Sequence, residues 1–539
     1  MGKKRKSLHP NEPLRHNDHP RPVSRRDFLR QGFITGSGVV MGGGIFSLFS
    51  NPHEAYAAVS NISGDIHKMA DIAGCPVGGG AGTKLPFICF DLAGGASLAG
   101  ANVLAGGPGG QKDFISTAGY SKFGIPDTML PTAADENINS ELGLLFHEQS
   151  TMKNGIVEKA GSALNRINGV LIPARSDNDT GNNPHNPMFA IARAFLNDDQ
   201  SGKVLSLVGS RNSDSGGNST FPPSFMNPEL IPTKIDRPSD ITGMLDTGSL
   251  TGILDKDDLK VVMESVARLS HQKLSKVSTG TIVSRDELIE NLVKCGYLSA
   301  ADIADRFADV KVNPAEDEAI VGDTGIFSQG EWDGPDRNEF RKTASVMKMV
   351  LDGYAGAGTI TMGGYDYHTG ERVTGDDRDE RAGRCIGACL NYAARRGVPL
   401  MIYVCSDGSV SSNGRPDPNA DGKGEWTTDN SSTAASFILL FDPLAGGRPQ
   451  ILTNTVPNPS LGQIGWFSRD ASVVRNSSPA ADNVLSLVNT VLLNYMSASG
   501  MISSSNTSAF TQIFTDLSIS HGLGNNFDRL MAFGPVNSP

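Results

Sequence analysis

Acidic residues and one histidine stand beside apolar segments that read as buried strands. Asp366 and His368 follow one such segment and two glycines; because alternate residues of an extended chain point the same way, the two could share one metal ion. Asp91 and Asp407 stand at or just after the ends of two other segments, and Asp429 precedes a fourth. Carboxylates at this density repel one another unless a cation neutralises them, so we predict one divalent metal ion of unspecified identity. For each aspartate, a helix cap or an Asx-turn is the alternative interpretation.

Three further residues are of interest for the same chemistry. Ser97 follows a glycine-rich turn at the predicted start of a helix and could act as a nucleophile, although serine in such a turn is usually only a cap. His185 lies in a polar loop from which it could reach the metal, and a surface histidine is the alternative. The apolar neighbours of His147 predict instead a packed, hydrogen-bonded histidine on a helix.

A separate acidic segment has the spacing of a calcium loop. Asp417, Asn419 and Asp421 alternate, and a glycine follows, as in the first half of such a loop. The twelfth position is Thr428 instead of a glutamate that would bind through both oxygens, so any calcium affinity is predicted to be low. A polar turn without an ion is the alternative.

The elements that must position these residues are apolar runs separated by helical stretches. Runs without polar interruption indicate strands buried on both faces, and they occupy residues 85–91, 170–172, 204–208, 359–362, 400–405 and 437–441. The clearest helix, 379–396, ends in two arginines and Gly397. This alternation predicts an α/β fold, a mostly parallel sheet sandwiched by helices, in which ligands bind outside the carboxyl ends of the strands.

Composition divides the chain into a central domain and two helical segments. Residues 58–480 are predicted to form the α/β domain, with a helical insertion at about 240–312 that contains helices at 255–277 and 284–310. Residues 481–539 are predicted to form a C-terminal helical appendage. Segments rich in Asn, Asp, Ser, Gly and Pro are predicted to be long loops, at 174–187, 209–224 and 409–433.

The net charge argues against one class of function. The chain of 539 residues has 47 Lys and Arg against 58 Asp and Glu, a formal charge of −11. Proteins that bind nucleic acids neutralise phosphates with clustered basic residues, and no such cluster occurs after the first thirty residues. We therefore expect no nucleic-acid partner. The hydrophobic fraction of 38% and the charged fraction of 19% fit a globular protein.

The N-terminus has the three ordered features of a twin-arginine signal peptide. Ser-Arg-Arg-Asp-Phe-Leu-Arg at 24–30 is followed by an uncharged, glycine-rich stretch at 32–49 and by Ala55-Tyr56-Ala57, a small-x-small cleavage site. Six glycines make this stretch a weak helix, which argues against the alternative of a permanent membrane anchor. Residues 1–57 are thus predicted to be removed on export by the twin-arginine translocase, which leaves a soluble periplasmic or secreted protein.

The six cysteines form no metal or haem signature. They stand at positions 75, 89, 295, 385, 389 and 405, and they are too few for a disulfide scaffold. Cys89 and Cys405 fall in predicted core strands, so we interpret them as small buried apolar residues. A disulfide between some pair of the six is the alternative.

The order of these motifs resembles that of a bacterial family of twin-arginine-exported proteins known by a domain-of-unknown-function number, fifteen hundred and one. The fold of that family is similar to alkaline phosphatases and sulfatases. The resemblance extends over about residues 85–475. It rests on Gly94-Gly95-Ala96-Ser97, Ile125-Pro126-Asp127, Leu145-Phe146-His147, Gly364-Tyr365-Asp366-Tyr367-His368, the strand that ends in Ser406-Asp407-Gly408, and Asp429-Asn430 before an apolar strand.

This resemblance implies an alkaline-phosphatase-like domain and an exported, metal-dependent hydrolase that acts on a phosphate or sulfate ester. The residues that would hold the ion are Asp366, His368, Asp407 and Asp429, with assistance from Asp91. Either the Ser97 hydroxyl or a metal-bound water would attack the ester.

The chain departs from the family pattern at three places, which predicts a degenerate site. Asn430 stands where the family has a histidine, Ser409 follows Asp407-Gly408 in place of a Phe-Gly-Arg turn, and Leu98 replaces a histidine that often follows the first serine. An amide binds metals more weakly than imidazole. The alternative function is therefore a non-catalytic periplasmic envelope protein that keeps the scaffold for binding or assembly with a protein partner.

Overall fold

The structure is a computed structural model that describes residues 63–73, 85–175, 185–194, 207–210, 232–245, 256–274, 313–353, 355–452, 462–525 and 527–536. The described residues fall into two compact units, of which the larger contains the sheet. The predicted signal peptide lies outside the described residues. Within the described part of the chain, no helix has both the length and the apolar character that a membrane crossing requires.

Seven strands of the larger unit form one mixed sheet. The described strands are β1 Phe87–Leu92, β2 Ile138–Leu142, β3 Leu144–His147, β4 Ile167–Pro173, β5 Leu207–Gly209, β6 Thr233–Lys234, β7 Ala357–Met362, β8 Leu400–Cys405, β9 Val410–Pro416, β10 Gly424–Asp429 and β11 Ala435–Phe441. The sheet order is β4-β11-β8-β1-β7-β5-β6, and β11 alone runs in the direction opposite to the other six strands. The prediction of an α/β fold with a mostly parallel sheet is confirmed, and each predicted strand overlaps an observed one.

Helices cover both faces of this sheet. The helices are α1 Gly64–Ala73, α2 Thr117–Lys122, α3 Thr151–Ala160, α4 Met188–Ala194, α5 Pro238–Leu245, α6 Lys256–Leu274, α7 Gln329–Trp332, α8 Arg337–Leu351, α9 Arg372–Arg396, α10 Val484–Ala498 and α11 Ser508–Asp516. On one face, the Tyr495 hydroxyl of α10 donates to the Leu85 carbonyl oxygen at 2.7 Å, and the Tyr495 and Phe87 rings lie 5.9 Å apart. On the other face, Gly358 of β7 leaves room for Val346 of α8.

The C-terminal helices belong to the core, which corrects the prediction of an appendage after residue 480. Leu487, Val491 and Leu492 of α10 and Phe510 of α11 are buried in the same hydrophobic cluster as residues of the inner strands, such as Phe87. Burial of this apolar surface is favourable, and the C-terminal segment therefore completes one hydrophobic side of the α/β unit.

The segment predicted as a helical insertion contributes α6 to the smaller unit. The Ser63 backbone N–H and hydroxyl donate to the Glu264 carboxylate at 2.7 and 2.6 Å, and the Arg268 guanidinium donates to Asp65 at 2.6 Å. These contacts join α6 to α1. The second predicted helix of the insertion, 284–310, lies outside the described residues.

The long helix α9 is held against α3 by glycines. It ends as predicted at Gly397, whose φ of 66° is the left-handed conformation of a helix C-cap, but it begins earlier than predicted, at Arg372. A Cβ on Gly383 would collide with the Met152 carbonyl oxygen, and one on Gly387 would lie 2.5 Å from the Ile156 carbonyl oxygen. The two backbones therefore approach closely and fix the position of α9.

Two other expectations concern the hairpin after β8 and the cysteines. The segment 409–433, predicted to be a long loop, contains the antiparallel pair β9–β10. Cys89 and Cys405 lie in core strands, as predicted, with sulfur atoms 3.9 Å apart. The four described cysteines are all buried free thiols, whereas Cys75 and Cys295 lie outside the described residues.

Candidate metal centre

Three of the predicted metal ligands come together at one edge of the sheet. Asp366 and His368 lie in the loop after β7, and Asp429 is the last residue of β10. The His368 Nε2 atom is 2.9 Å from Asp366 Oδ1 and 3.4 Å from Asp429 Oδ2, and each residue offers one ligand atom within 4.8 Å of the other two. We call these three residues the ligand triad.

The composition and exposure of the ligand triad fit a divalent metal. Two carboxylates and one imidazole are ligands that zinc and several other divalent transition metals accept. The side chains are 64% exposed for Asp366, 47% for Asp429 and 29% for His368. Three protein ligands on an open surface leave coordination positions for water or substrate, which is the arrangement of catalytic sites more than of closed structural ones.

The loop that carries Asp366 and His368 is anchored by its alternate residues. Tyr365 and Tyr367 are fully buried, while the residues between and after them face solvent. The Tyr365 backbone N–H donates to the Ala93 carbonyl oxygen at 3.1 Å. Gly94 has a φ of 126°, and a Cβ there would lie 2.5 Å from the Asp366 nitrogen. The turn after β1 therefore packs directly against the loop.

A buried hydrogen-bond network holds Tyr367 from below. Its hydroxyl accepts the Ser97 backbone N–H at 3.0 Å and donates to Asp379 Oδ1 at 3.2 Å. The Asn102 amide donates to Asp379 Oδ2 at 2.7 Å, and its oxygen accepts the Ser150 hydroxyl at 2.6 Å. Burial raises the pKa of the Asp379 carboxyl to about 7. The network ties the loop to α9 and to the N-cap of α3.

Asp91 and Asp407 lie in the interior and do not belong to the ligand triad. Asp91 is 0% exposed and accepts the Thr361 hydroxyl at 3.2 Å. Asp407 is 1% exposed and accepts the Gly94 backbone N–H at 2.7 Å. Asp407 thus stabilises the turn that packs on the loop of Asp366.

The other predicted site residues are also buried. Ser97 is 2% exposed, and no helix begins there, because the chain continues through further turns after the glycines that end β1. His185 is 2% exposed, so the alternative of a surface histidine is wrong. His185 lies outside the ligand triad; its neighbour Asn186 donates to the Thr359 hydroxyl of β7 at 2.7 Å.

His147 is a packed and hydrogen-bonded histidine, as predicted, but it ends β3 instead of lying on a helix. Its Nδ1 atom accepts the Gln149 backbone N–H at 3.2 Å, so Nε2 carries the proton and donates to the Met129 carbonyl oxygen at 2.8 Å. Burial lowers the pKa of His147 to about 4. The imidazole is therefore neutral at ordinary pH.

The segment with calcium-loop spacing forms the turn between β9 and β10. The Asp417 carboxylate accepts the Asn419 backbone N–H at 2.9 Å, which is an Asx-turn. Asp421 and Gly422 have φ values of 54° and 79°. The polar-turn interpretation therefore accounts for these residues, and calcium binding at Asp417, Asn419 and Asp421 stays a prediction.

Two residues of this region were missed in the sequence. Asp379 lies on the buried face of α9, one turn before Ala382. An ionisable residue at an apolar position of a helix indicates a buried polar contact, so the sequence could have identified it. Arg378 precedes it, and its guanidinium covers Gly364 at the start of the loop. No sequence pattern identifies that contact.

Comparison of the chain with protein-family models, with curated proteins and with solved structures gives no significant match.

Proposed function

We propose that the protein is a metal-dependent, hydrolase-like protein that acts on a phosphate or sulfate ester. The observation that carries the proposal is the ligand triad: two segments far apart in the chain bring two carboxylates and one imidazole within 4.8 Å of one another. The site is open and lies near the carboxyl ends of parallel strands, where such sheets bind their ligands.

In this proposal Asp366, His368 and Asp429 hold a divalent ion. The ion would polarise an ester oxygen and lower the pKa of a bound water. Ser97 is 2% exposed, which favours a nucleophile drawn from solvent over the Ser97 hydroxyl. Tyr367 and the Asp379 network below it keep the two loop ligands in place.

We further propose that the chain is related to the twin-arginine-exported family that it resembles, with an alkaline-phosphatase-like domain. The order of the motifs and the position of the ligand triad at the sheet edge support this relation. Export by the twin-arginine translocase to the periplasm or the medium rests on the motif at 24–30.

A specific observation favours a second function, a non-catalytic envelope protein. Asn430 stands where the resembled motif has a histidine, and its amide is used within the structure: the oxygen accepts the Ser432 backbone N–H at 2.9 Å and the nitrogen donates to Ser411 at 3.2 Å. An amide committed in this way adds no metal ligand, so the described residues offer one candidate metal group. A site with a single metal ion is compatible with ligand binding as well as with hydrolysis.

Metal content and ester turnover of the full chain test the first proposal. Wild-type protein is compared with Asp366→Asn, Asp429→Asn and a control, Asp323→Asn, which changes an exposed aspartate outside the site by the same charge. We expect one divalent ion per wild-type and control chain. Loss of a direct ligand should weaken affinity by at least the roughly 10–100-fold that outer-shell substitutions cost.

Hydrolysis of aryl phosphates and aryl sulfates is then followed for the same proteins. Turnover that falls with metal content in Asp366→Asn and Asp429→Asn, but not in Asp323→Asn, supports the enzyme. A stoichiometric ion without turnover supports the binding protein. If wild type holds no ion, and the substitutions change neither metal content nor turnover, the metal-dependent enzyme is excluded.

A further inference from the structure

The strand that carries Asp429 is not paired with the seven-stranded sheet. Among the described strands, β10 pairs only with β9, in a separate two-stranded sheet. The loop that carries Asp366 and His368, in contrast, continues directly from β7 of the main sheet. A metal ion binds nitrogen and oxygen ligands at about 2 Å, so both segments must be held in place. Their separation therefore depends on contacts outside the main sheet.

Trp426 of β10 connects these two segments. It lies three residues before Asp429 and is 1% exposed. The centroid of its ring is 6.5 Å from that of Tyr367, which precedes His368. Its carbonyl oxygen accepts the Gly370 backbone N–H, two residues after His368, at 2.6 Å. Trp426 therefore contacts the loop on both sides of His368.

Arg372 holds the Trp426 ring against the start of α9. Its guanidinium carbon lies 4.5 Å from the centroid of the ring, and Nη1 donates to the Gly424 carbonyl oxygen of β10 at 3.0 Å. Asp376 accepts from Arg372 Nε at 2.9 Å through one oxygen and from Lys423 Nζ at 2.7 Å through the other. Arg372 is 3% exposed, and a cation–π contact is stronger where water is excluded. These contacts fix the hairpin to the start of α9.

A glycine of α9 lets the two rings pack on this helix. A Cβ on Gly375 would lie 3.0 Å from Cδ2 of Tyr367 and 3.2 Å from Nε1 of Trp426, so both rings lie against the same residue. Trp426 Nε1 makes no hydrogen bond within the described part of the chain. The indole therefore acts through the packing of its ring and not through its N–H.

We propose that Trp426 is a positioning residue that, through Tyr367 and Gly370, sets the distance between Asp429 and the loop of the ligand triad. The three ligand atoms lie within 4.8 Å of one another in this arrangement. A displacement of more than about 0.5 Å is enough to impair such a site. Trp426 itself does not bind the ion. The inference deepens the proposed function and rests on it.

Zn²⁺ binding to the full chain, measured by calorimetry, and the absorption spectrum of bound Co²⁺ test this role. The variants are Trp426→Leu, which removes the ring, and Trp426→Phe, which keeps a ring and leaves no hydrogen-bond partner unpaired. The control is Trp332→Leu, because Trp332 is 5% exposed and its ring lies 5.4 Å from the Arg341 guanidinium, outside the ligand triad. The control therefore loses a similar buried ring and a similar cation–π contact.

We expect Trp426→Leu to raise the Zn²⁺ dissociation constant roughly 10- to 100-fold, as substitution of a residue that supports metal ligands does. The Co²⁺ spectrum should change as well, because it reports the coordination geometry. Trp426→Phe should recover most of the affinity, and Trp332→Leu should leave affinity and spectrum unchanged. Both leucine variants should lower the unfolding midpoint, so a loss of stability alone does not produce the expected pattern.

Failure of this inference is distinguishable from failure of the proposed function. If wild type takes up Zn²⁺ and Trp426→Leu binds it as tightly, with the same Co²⁺ spectrum, the role of Trp426 is overturned and the metal site stands. If wild type takes up no Zn²⁺, the proposed function fails, and amide hydrogen exchange of residues 363–371 tests the role of Trp426. Faster exchange in Trp426→Leu than in Trp332→Leu supports this role, and equal exchange overturns it.

Gly375→Ala tests the same role if Trp426→Leu does not fold. Alanine favours the helix, and its Cβ would displace the two rings without removing either. We expect this variant to bind Zn²⁺ more weakly than wild type does. Unchanged binding overturns the inference.

Discussion

Replacing Asp379 by asparagine is expected to remove a large pH dependence from the folding stability. Asp379 is 3% exposed, both its oxygens accept hydrogen bonds, and burial raises its pKa from 3.8 to about 7. Between these two values the folded protein keeps a proton that the unfolded chain has released. The stability of the wild type therefore falls as the pH rises from about 4 to about 7, and this contribution is constant above that range.

The size of the effect follows from the width of that window. It spans about three pH units, and each unit corresponds to about 1.4 kcal/mol, so the carboxyl costs about 4 kcal/mol of unfolding free energy at pH 7 relative to pH 4. Because the side chain is almost fully buried, solvent does not screen this cost. A typical domain has about 5–15 kcal/mol of total stability, so the change is a large fraction of it.

Urea unfolding of wild type and Asp379→Asn at intervals between pH 4 and pH 8 measures the effect. The difference between the two profiles isolates Asp379, because other titrating groups contribute to both proteins. We expect the stability of the variant, relative to wild type, to rise by about 4 kcal/mol across the window. A constant offset is also expected, since two donors, the Asn102 amide and the Tyr367 hydroxyl, face the two carboxyl oxygens, and the asparagine keeps an acceptor for one of them only.

The control for this experiment is Asp323→Asn, an exposed aspartate, whose profile should run parallel to that of wild type. A parallel profile for Asp379→Asn would refute the reasoning, because it would mean that the buried carboxyl titrates as it does in the unfolded chain. A variant that is stabilised only below pH 4 would refute it as well, since the sign of the linkage would be reversed.

Three further outcomes are expected. Gly94→Ala should raise the metal dissociation constant at least about tenfold, as substitution of a residue that supports metal ligands does, because its Cβ would displace the loop of the ligand triad. The control Gly446→Ala, at a glycine with open space around it, should leave the constant unchanged, and metal titration compares the two. Lys348→Met should cost about 3 kcal/mol in urea unfolding, because Asp317 and Asp352 both lose the ammonium that lies 2.6 and 2.9 Å away. Arg396, whose Nε lies 2.9 Å from Asp352, still faces that carboxylate and keeps the cost below that of a fully unpaired buried charge. Burial lowers the folded-state pKa of the His147 imidazole from 6.5 to about 4, so wild type should lose about 3 kcal/mol of stability as the pH falls across that range. His147→Gln should remove this loss, and thermal unfolding at several pH values in the range measures it.

The sheet is predictable from the sequence because its inner strands are buried on both faces. In β8 and β11 every residue is buried, so the sequence reads as an apolar run that a loop or a surface strand would not have. The hairpin β9–β10 is not predictable in this way. It lies outside the seven-stranded sheet, and buried and exposed positions follow one another along its strands without a regular period. Polar residues occupy most of these positions, so no apolar run marks the strands in the sequence.

The two loop ligands are also predictable, whereas the network beneath them is not. Asp366 and His368 flank one residue of an extended segment, and this spacing alone puts both side chains on the same side. Asp379 is held by Asn102, which is 277 residues away in the chain. A contact over that separation depends on how α9 packs against α3. The sequence around the glycines that permit this packing does not indicate which segment they contact.

The strand directions explain why Asp366 and Asp429 meet and Asp91 does not join them. Asp91 is still within β1, paired in register with Thr361 of β7 and Cys405 of β8, so its side chain stays in the layer between the sheet and its covering helices. Asp366 lies beyond the carboxyl end of β7, and Asp429 precedes β11, whose antiparallel direction brings its amino end to that same edge. In this sheet, the two carboxylates that reach the open side come from outside the register of the seven paired strands. The one reversed strand, β11, brings its amino end to that edge, so that Asp429 of the preceding hairpin can complete the ligand triad.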